Sequence, residues 1–68
     1  MHKGENVTVM GPAGKGVNCP VMDIDYEENK IWVRFPHHET VEMRWDAKRS
    51  VYVGKVARLE FTVNPDNC

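Results

Sequence analysis

Lys30, Trp32 and Arg34 occupy alternate positions, and they are the residues best suited to chemistry at a surface. In an extended strand that spacing puts all three side chains on one side. Arg44, on the strand expected next, would lie beside them. An indole between an ammonium and a guanidinium can stack a nucleobase while the cations hold phosphate, worth about 1–3 kcal/mol per base. The same row suits a protein interface, where Trp and Arg concentrate binding energy. The bland alternative is a ring covering the sheet's outer face, with Arg34 and Arg44 paired to Glu42 across strands.

Lys15 offers a second possibility. It sits in Gly11-Pro12-Ala13-Gly14-Lys15-Gly16, a loop able to present a charge and backbone N–H groups to a phosphate. A nucleotide-hydrolysing loop would need Ser or Thr after the lysine and a helix beyond it. Gly16 follows instead, and no strand–helix–strand unit fits. Lys48 and Arg49, with Lys55 and Arg58, form a C-terminal basic set that is either a solvated face or a contact for an acidic partner.

The remaining constellations read as structural. His2, His37, His38, Cys19 and Cys68 show no C-x-x-C or H-x-x-x-H spacing, and adjacent histidines in extended chain point apart, so no metal is expected. Asp23 and Asp25, with Glu27 and Glu28 beyond, read as an acidic rim, since acid–base work by paired carboxylates needs a partly desolvated pocket. Tyr26, Trp32, Trp45 and Tyr52 are the rings available for an aromatic cage around a cation. No Ser or Cys lies in a nucleophile motif. No catalytic residue and no cofactor is expected, and the chain is not read as an enzyme.

A chain of 68 residues is one domain at most, and it buries only roughly 60% of its unfolded surface. Self-association is one remedy for so thin a core, and a homo-oligomer stays open. Cys19 and Cys68 read as free thiols of a reducing compartment rather than as a disulfide framework. No apolar run reaches the roughly 20 residues of a membrane span, and Met1 to Glu5 has no signal-peptide character. The expectation is a soluble, cytoplasmic protein. A net charge of -1 argues against a strongly electrostatic nucleic-acid binder. The charge is uneven: four Lys/Arg stand against seven Asp/Glu up to Met43, and five against three from Arg44 onward.

These residues need strands to hold them. Val7 and Val9 alternate with polar neighbours, and Gly11 to Asn18 is a glycine-rich break. A second strand is expected over about Cys19 to Tyr26. Met22, Ile24 and Tyr26 suit one side while Val21 is on the other, which a bulge near Pro20 would reconcile. Glu27-Glu28-Asn29 is a turn with Asn29 suited to positive φ. Ile31, Val33 and Phe35 point inward from the third strand; Val41, Met43 and Trp45 do so from Thr40 to Trp45. Asp46 to Ser50 is a polar loop, Val51 to Val53 is extended, and Gly54 predicts a kink or bulge. Arg58 to Val63 alternates through Leu59, Phe61 and Val63, with a short helix over Lys55 to Phe61 as the competing reading. Residues 1–63 are expected to form the domain and 64–68 a loose tail.

Five or six short antiparallel strands without a covering helix can bury their apolar faces only by curling together. The expected fold is all-β, a small SH3-like barrel. Gly4-Glu5-Asn6-Val7-Thr8-Val9, Gly11, the Gly14-Lys15-Gly16 turn, Val21 through Asp23-Ile24-Asp25 and Ile31 to Phe35 resemble a KOW motif, a relative of Tudor-type barrels. The loop is one residue shorter than the family's, and Cys19-Pro20 stands where the family often has a glycine and a basic residue. The resemblance implies a module that binds RNA or docks on ribosomal or transcription machinery; Tudor relatives hold methylated lysine or arginine. Some SH3-like barrels are tetrameric reductases, but their glutamine-isoleucine-tyrosine signature is missing here. The sequence points first to a non-catalytic module docking on a protein partner of transcription, translation or phage–host regulation, without a membrane. RNA or DNA binding is the alternative, and an oligomeric small enzyme the remote one. The residues expected to bind are Lys30, Trp32, Arg34, Arg44, Lys15, Lys48 and Arg49.

Overall fold

The computed structural model describes residues 1–36 and 39–65. Six strands follow one another: β1 (Asn6–Met10), β2 (Gly16–Asp25), β3 (Lys30–Arg34), β4 (Thr40–Asp46), β5 (Val51–Val56) and β6 (Leu59–Val63). Each pairs antiparallel with the next, and β6 returns to β1 through Val9–Val63 and Met10–Thr62, closing a barrel. The fold class is as the alternating pattern requires: all-β, antiparallel and barrel-forming. No helix of the described residues is long and apolar enough to cross a membrane.

The alternation is read out directly in the interior. Val7, Val9, Cys19, Val21, Ile31, Val33, Phe35, Met43 and Val63 are buried, and no polar or charged side chain of the described residues joins them. Val41, Tyr52 and Phe61 pack against this core from the same faces. Because consecutive strands reverse direction, the β1–β2, β3–β4 and β5–β6 connections gather at one end of the barrel. The β2–β3 and β4–β5 turns gather at the other. Trp45 meets Tyr52 edge-to-face beside the β4–β5 turn, while Phe35 meets Phe61 in the same way toward the opposite end.

Four expectations are corrected. β2 starts at Gly16, and its bulge lies at Met22 rather than near Pro20: Val21 pairs with Val33, but Asp23 already pairs with Trp32. The extra residue reverses the facing along the strand, so Val21 and Ile24 both turn toward the core while Met22 and Tyr26 are exposed. Gly54 makes no kink. It lies within a continuous β5, where an added Cβ would stand 2.9 Å from Met43 Cγ and 3.0 Å from the Glu42 carbonyl oxygen. There is no helix over Lys55 to Phe61, because Ala57 and Arg58 reverse the chain in a two-residue hairpin turn.

Asn29 has the expected positive φ of 55°. Ala57 and Arg58 also have positive φ, 51° and 70°, the pairing that a type I′ turn demands and that Asn-Gly adopts with least strain. Cys19 is a buried free thiol; Cys68, His37 and His38, and most of the tail expected over 64–68, lie outside the described residues.

Replacing Ala57-Arg58 with Asn-Gly should therefore raise Tm by roughly 4 °C or more in a thermal melt. An unchanged or lower Tm would contradict strain at this turn. Gly54→Ala should cost about 1–3 kcal/mol in a denaturant titration, since Met43 and the β4 backbone must both give way.

Candidate functional site

The outer surface of β2, β3 and β4 carries the row that the sequence singles out. Trp32 is half-buried in the middle of β3, with Asp23 directly opposite on β2 and Glu42 directly opposite on β4. Lys30 lies between Asp25 and Arg44, and Arg34 is opposite Thr40. Cross-strand register thus brings Lys30, Trp32, Arg34 and Arg44 together on one outward face, and it adds carboxylates on both sides of the indole.

Direct opposition of Lys30 and Arg44 is unfavourable in itself, because like charges across a strand pair repel. Glu42 resolves it from the diagonal position. Its Oε1 lies 3.3 Å from Lys30 Nζ and its Oε2 lies 3.5 Å from Arg44 Nε. Glu28, from the β2–β3 turn, takes the other side of Lys30 at 2.8 Å. The hydrogen bonds that Lys30 donates to Glu28 and then to Glu42 raise its pKa, and the Lys30 ammonium in turn holds Glu42 below the usual carboxylate range. Asp25 is occupied as a turn cap, its Oδ1 accepting from the Glu27 and Glu28 backbone N–H groups.

The other expected binding residues lie elsewhere. Arg49 links the β4–β5 turn to β6, with Nε 2.9 Å from Asp46 Oδ2 and Nη1 2.7 Å from Glu60 Oε1. Both carboxyl groups are held low by the guanidinium, which ties the β4–β5 turn to β6. Lys48 stays exposed beside it, its backbone N–H donating to Asp46 Oδ1. Lys15 is at the far end, on a loop that bonds to itself through Gly14 N–H to the Gly11 carbonyl and Gly11 N–H to the Lys15 carbonyl.

The rings expected as cage candidates do not converge: Trp45 contacts Tyr52, and Tyr26 is 73% exposed. No cluster of His, Cys, Asp and Glu among the described residues could hold a metal ion.

A second feature escaped the sequence reading. Val9, Val17, Cys19, Phe35 and Phe61 line an apolar cleft of about 270 Å³ at the loop end, with Lys15 in its wall. Val17, Cys19 and Val21 alternate, so extending β2 back to Gly16 would have placed Val17 on the inward face. The convergence with Phe61, contributed by the last strand, had no local signal.

Comparison with protein-family models, with curated proteins and with solved structures finds no match. The geometry of the barrel and its surface therefore carries the functional argument.

Because Glu42 has a lowered folded pKa, its contribution is present at neutral pH and is lost as pH falls through about 4 and below. Glu42→Gln should thus melt lower than the parent at pH 7, and the two Tm values should converge as acid protonates the Glu42 carboxylate of the folded protein. A constant gap across that range would show that Glu42 does not hold the two cations.

Proposed function

We propose that the protein is a non-catalytic interaction module that docks on a protein partner through the outer face of β2–β4, with Trp32 at its centre. The observation that carries this reading is the charge balance around the indole. Lys30, Arg34 and Arg44 are matched by Asp23, Asp25, Glu28 and Glu42, and Lys30 and Arg44 are already ion-paired. A surface for a polyphosphate backbone would leave its cations uncompensated, because counterion release from phosphate supplies most of that affinity. An aromatic ring inside a ring of paired charges has instead the anatomy of a protein interface: an apolar anchor with a polar rim.

Catalysis is no part of this reading, which rests on the outer face around Trp32. Within the small-barrel class, a KOW or Tudor relationship remains part of the proposal, supported by three consecutive strands around a glycine-containing first loop. It brings RNA or DNA as the alternative ligand. Arg34, which has no ion-pair partner among the described residues, is the group on this face that would serve it.

Affinity purification from the native cell, with the parent and Trp32→Ala as parallel baits, tests the reading. The partner should be a protein, its affinity should fall by about 2 kcal/mol or more on Trp32→Ala, and it should respond weakly to salt. Retention of nucleic acid with a steep loss between low and moderate salt would overturn it in favour of the alternative. Equal binding by both baits would remove Trp32 from the interface.

A further inference from the structure

The cleft at the loop end is separate from the Trp32 face: it opens from the barrel interior, whereas Trp32 stands on the outer surface. Its volume of about 270 Å³ is below the range of roughly 300–1,000 Å³ typical of sites for drug-sized ligands, so it suits a group of side-chain size. Val17 is on the inward side of β2, opposite Val9, yet it is 47% exposed while Val9 is 2% exposed. The mouth thus leaves water on a large apolar wall that the rest of the row keeps dry.

The other wall is already organised. Phe35 and Phe61 meet edge-to-face, with centroids 5.0 Å apart and planes at 81°. Gly11 lets the first loop lie against this pair; a Cβ there would come within 3.2 Å of Phe61 Cε1. Cys19 contributes a neutral wall, since burial raises its thiol pKa and disfavours the thiolate. Among the described residues Lys15 is the single charged side chain in the lining, and it has no ion-pair partner there. Its loop is closed by its own backbone hydrogen bonds, so the backbone that carries the Lys15 side chain is held at the cleft.

An apolar slot with one unpaired cation selects a molecule that has a hydrocarbon body and an anionic end. We propose that this cleft binds a small apolar carboxylate, its aromatic or branched body between Val17 and the Phe35–Phe61 pair and its carboxylate on the Lys15 ammonium. The same chemistry is offered by a free organic acid and by the C-terminal residue of a peptide.

The test is a titration of methyl-labelled protein followed through the Val9 and Val17 methyl resonances. The probes are 3-phenylpropanoate, 3-phenylpropylamine and a short peptide ending in Phe with a free or an amidated C-terminus. The acid should shift both residues' methyls and bind roughly threefold or more tightly than the amine, the scale of one exposed charge pair. Lys15→Glu, a change at an exposed loop position, should reverse that order while the remaining spectrum stays folded. Tighter binding by the free-acid peptide than by 3-phenylpropanoate, with loss on amidation, supports the site and assigns it to protein C-termini; the opposite ranking supports it for small acids. Methyls that do not move with the acid, or an acid–amine order unaffected by Lys15→Glu, would overturn it.

Discussion

Two residue pairs close this barrel. Val9 with Val63 and Met10 with Thr62 are the whole of the β1–β6 register, against five pairs each for β1–β2 and β5–β6. Without that seam the sheet would have two exposed edges and an apolar face with nothing to cover it, since no α-helix is present among the described residues. With it, β-branched residues fill most of a narrow interior, and the bulkier Met43 fits because Gly54 opposite has no side chain. That interior opens at the loop end, where Val9, Cys19 and Phe35 of the core also line the apolar cleft.

Electrostatics divides the cations into two kinds. Lys30 and Arg49 are each held by carboxylates from another strand or a neighbouring turn, Arg44 is held by Glu42 of its own strand, and Arg49 fastens the β4–β5 turn to β6. Arg34, Lys15 and Lys48 have no ion-pair partner among the described residues; Arg34 and Lys15 lie toward the end where the β1–β2 and β3–β4 connections gather, and Lys48 lies toward the other. In the reading proposed above, the ring at position 32 with its local charge matching outweighs these cations.

Much of this architecture was legible in the residues. The alternation in β1, β3 and β4 survives unchanged because those strands are regular, and the outward placement of Trp32 follows from the inward placement of Ile31 and Val33. β2 misled for a local reason: one extra residue at Met22 exchanges the two faces, and a bulge of this kind has no compositional mark. The Ala57-Arg58 turn was invisible because neither residue favours the conformation it adopts there; the tight pairing of β5 with β6 imposes it. At the candidate site, residue types were readable but neighbours were not. The carboxylates flanking Trp32 depend on strand register, and the loop-end cleft depends on contributions from distant strands that only closure brings together.

The register of the closing pair has one more consequence. Val63 of β6 stands level with Val9, one residue short of the end of β1, and Val9 is also in the wall of the loop-end cleft. The join that keeps the ring shut and the mouth therefore share a side chain, so whatever displaces Val9 at the mouth also strains the join.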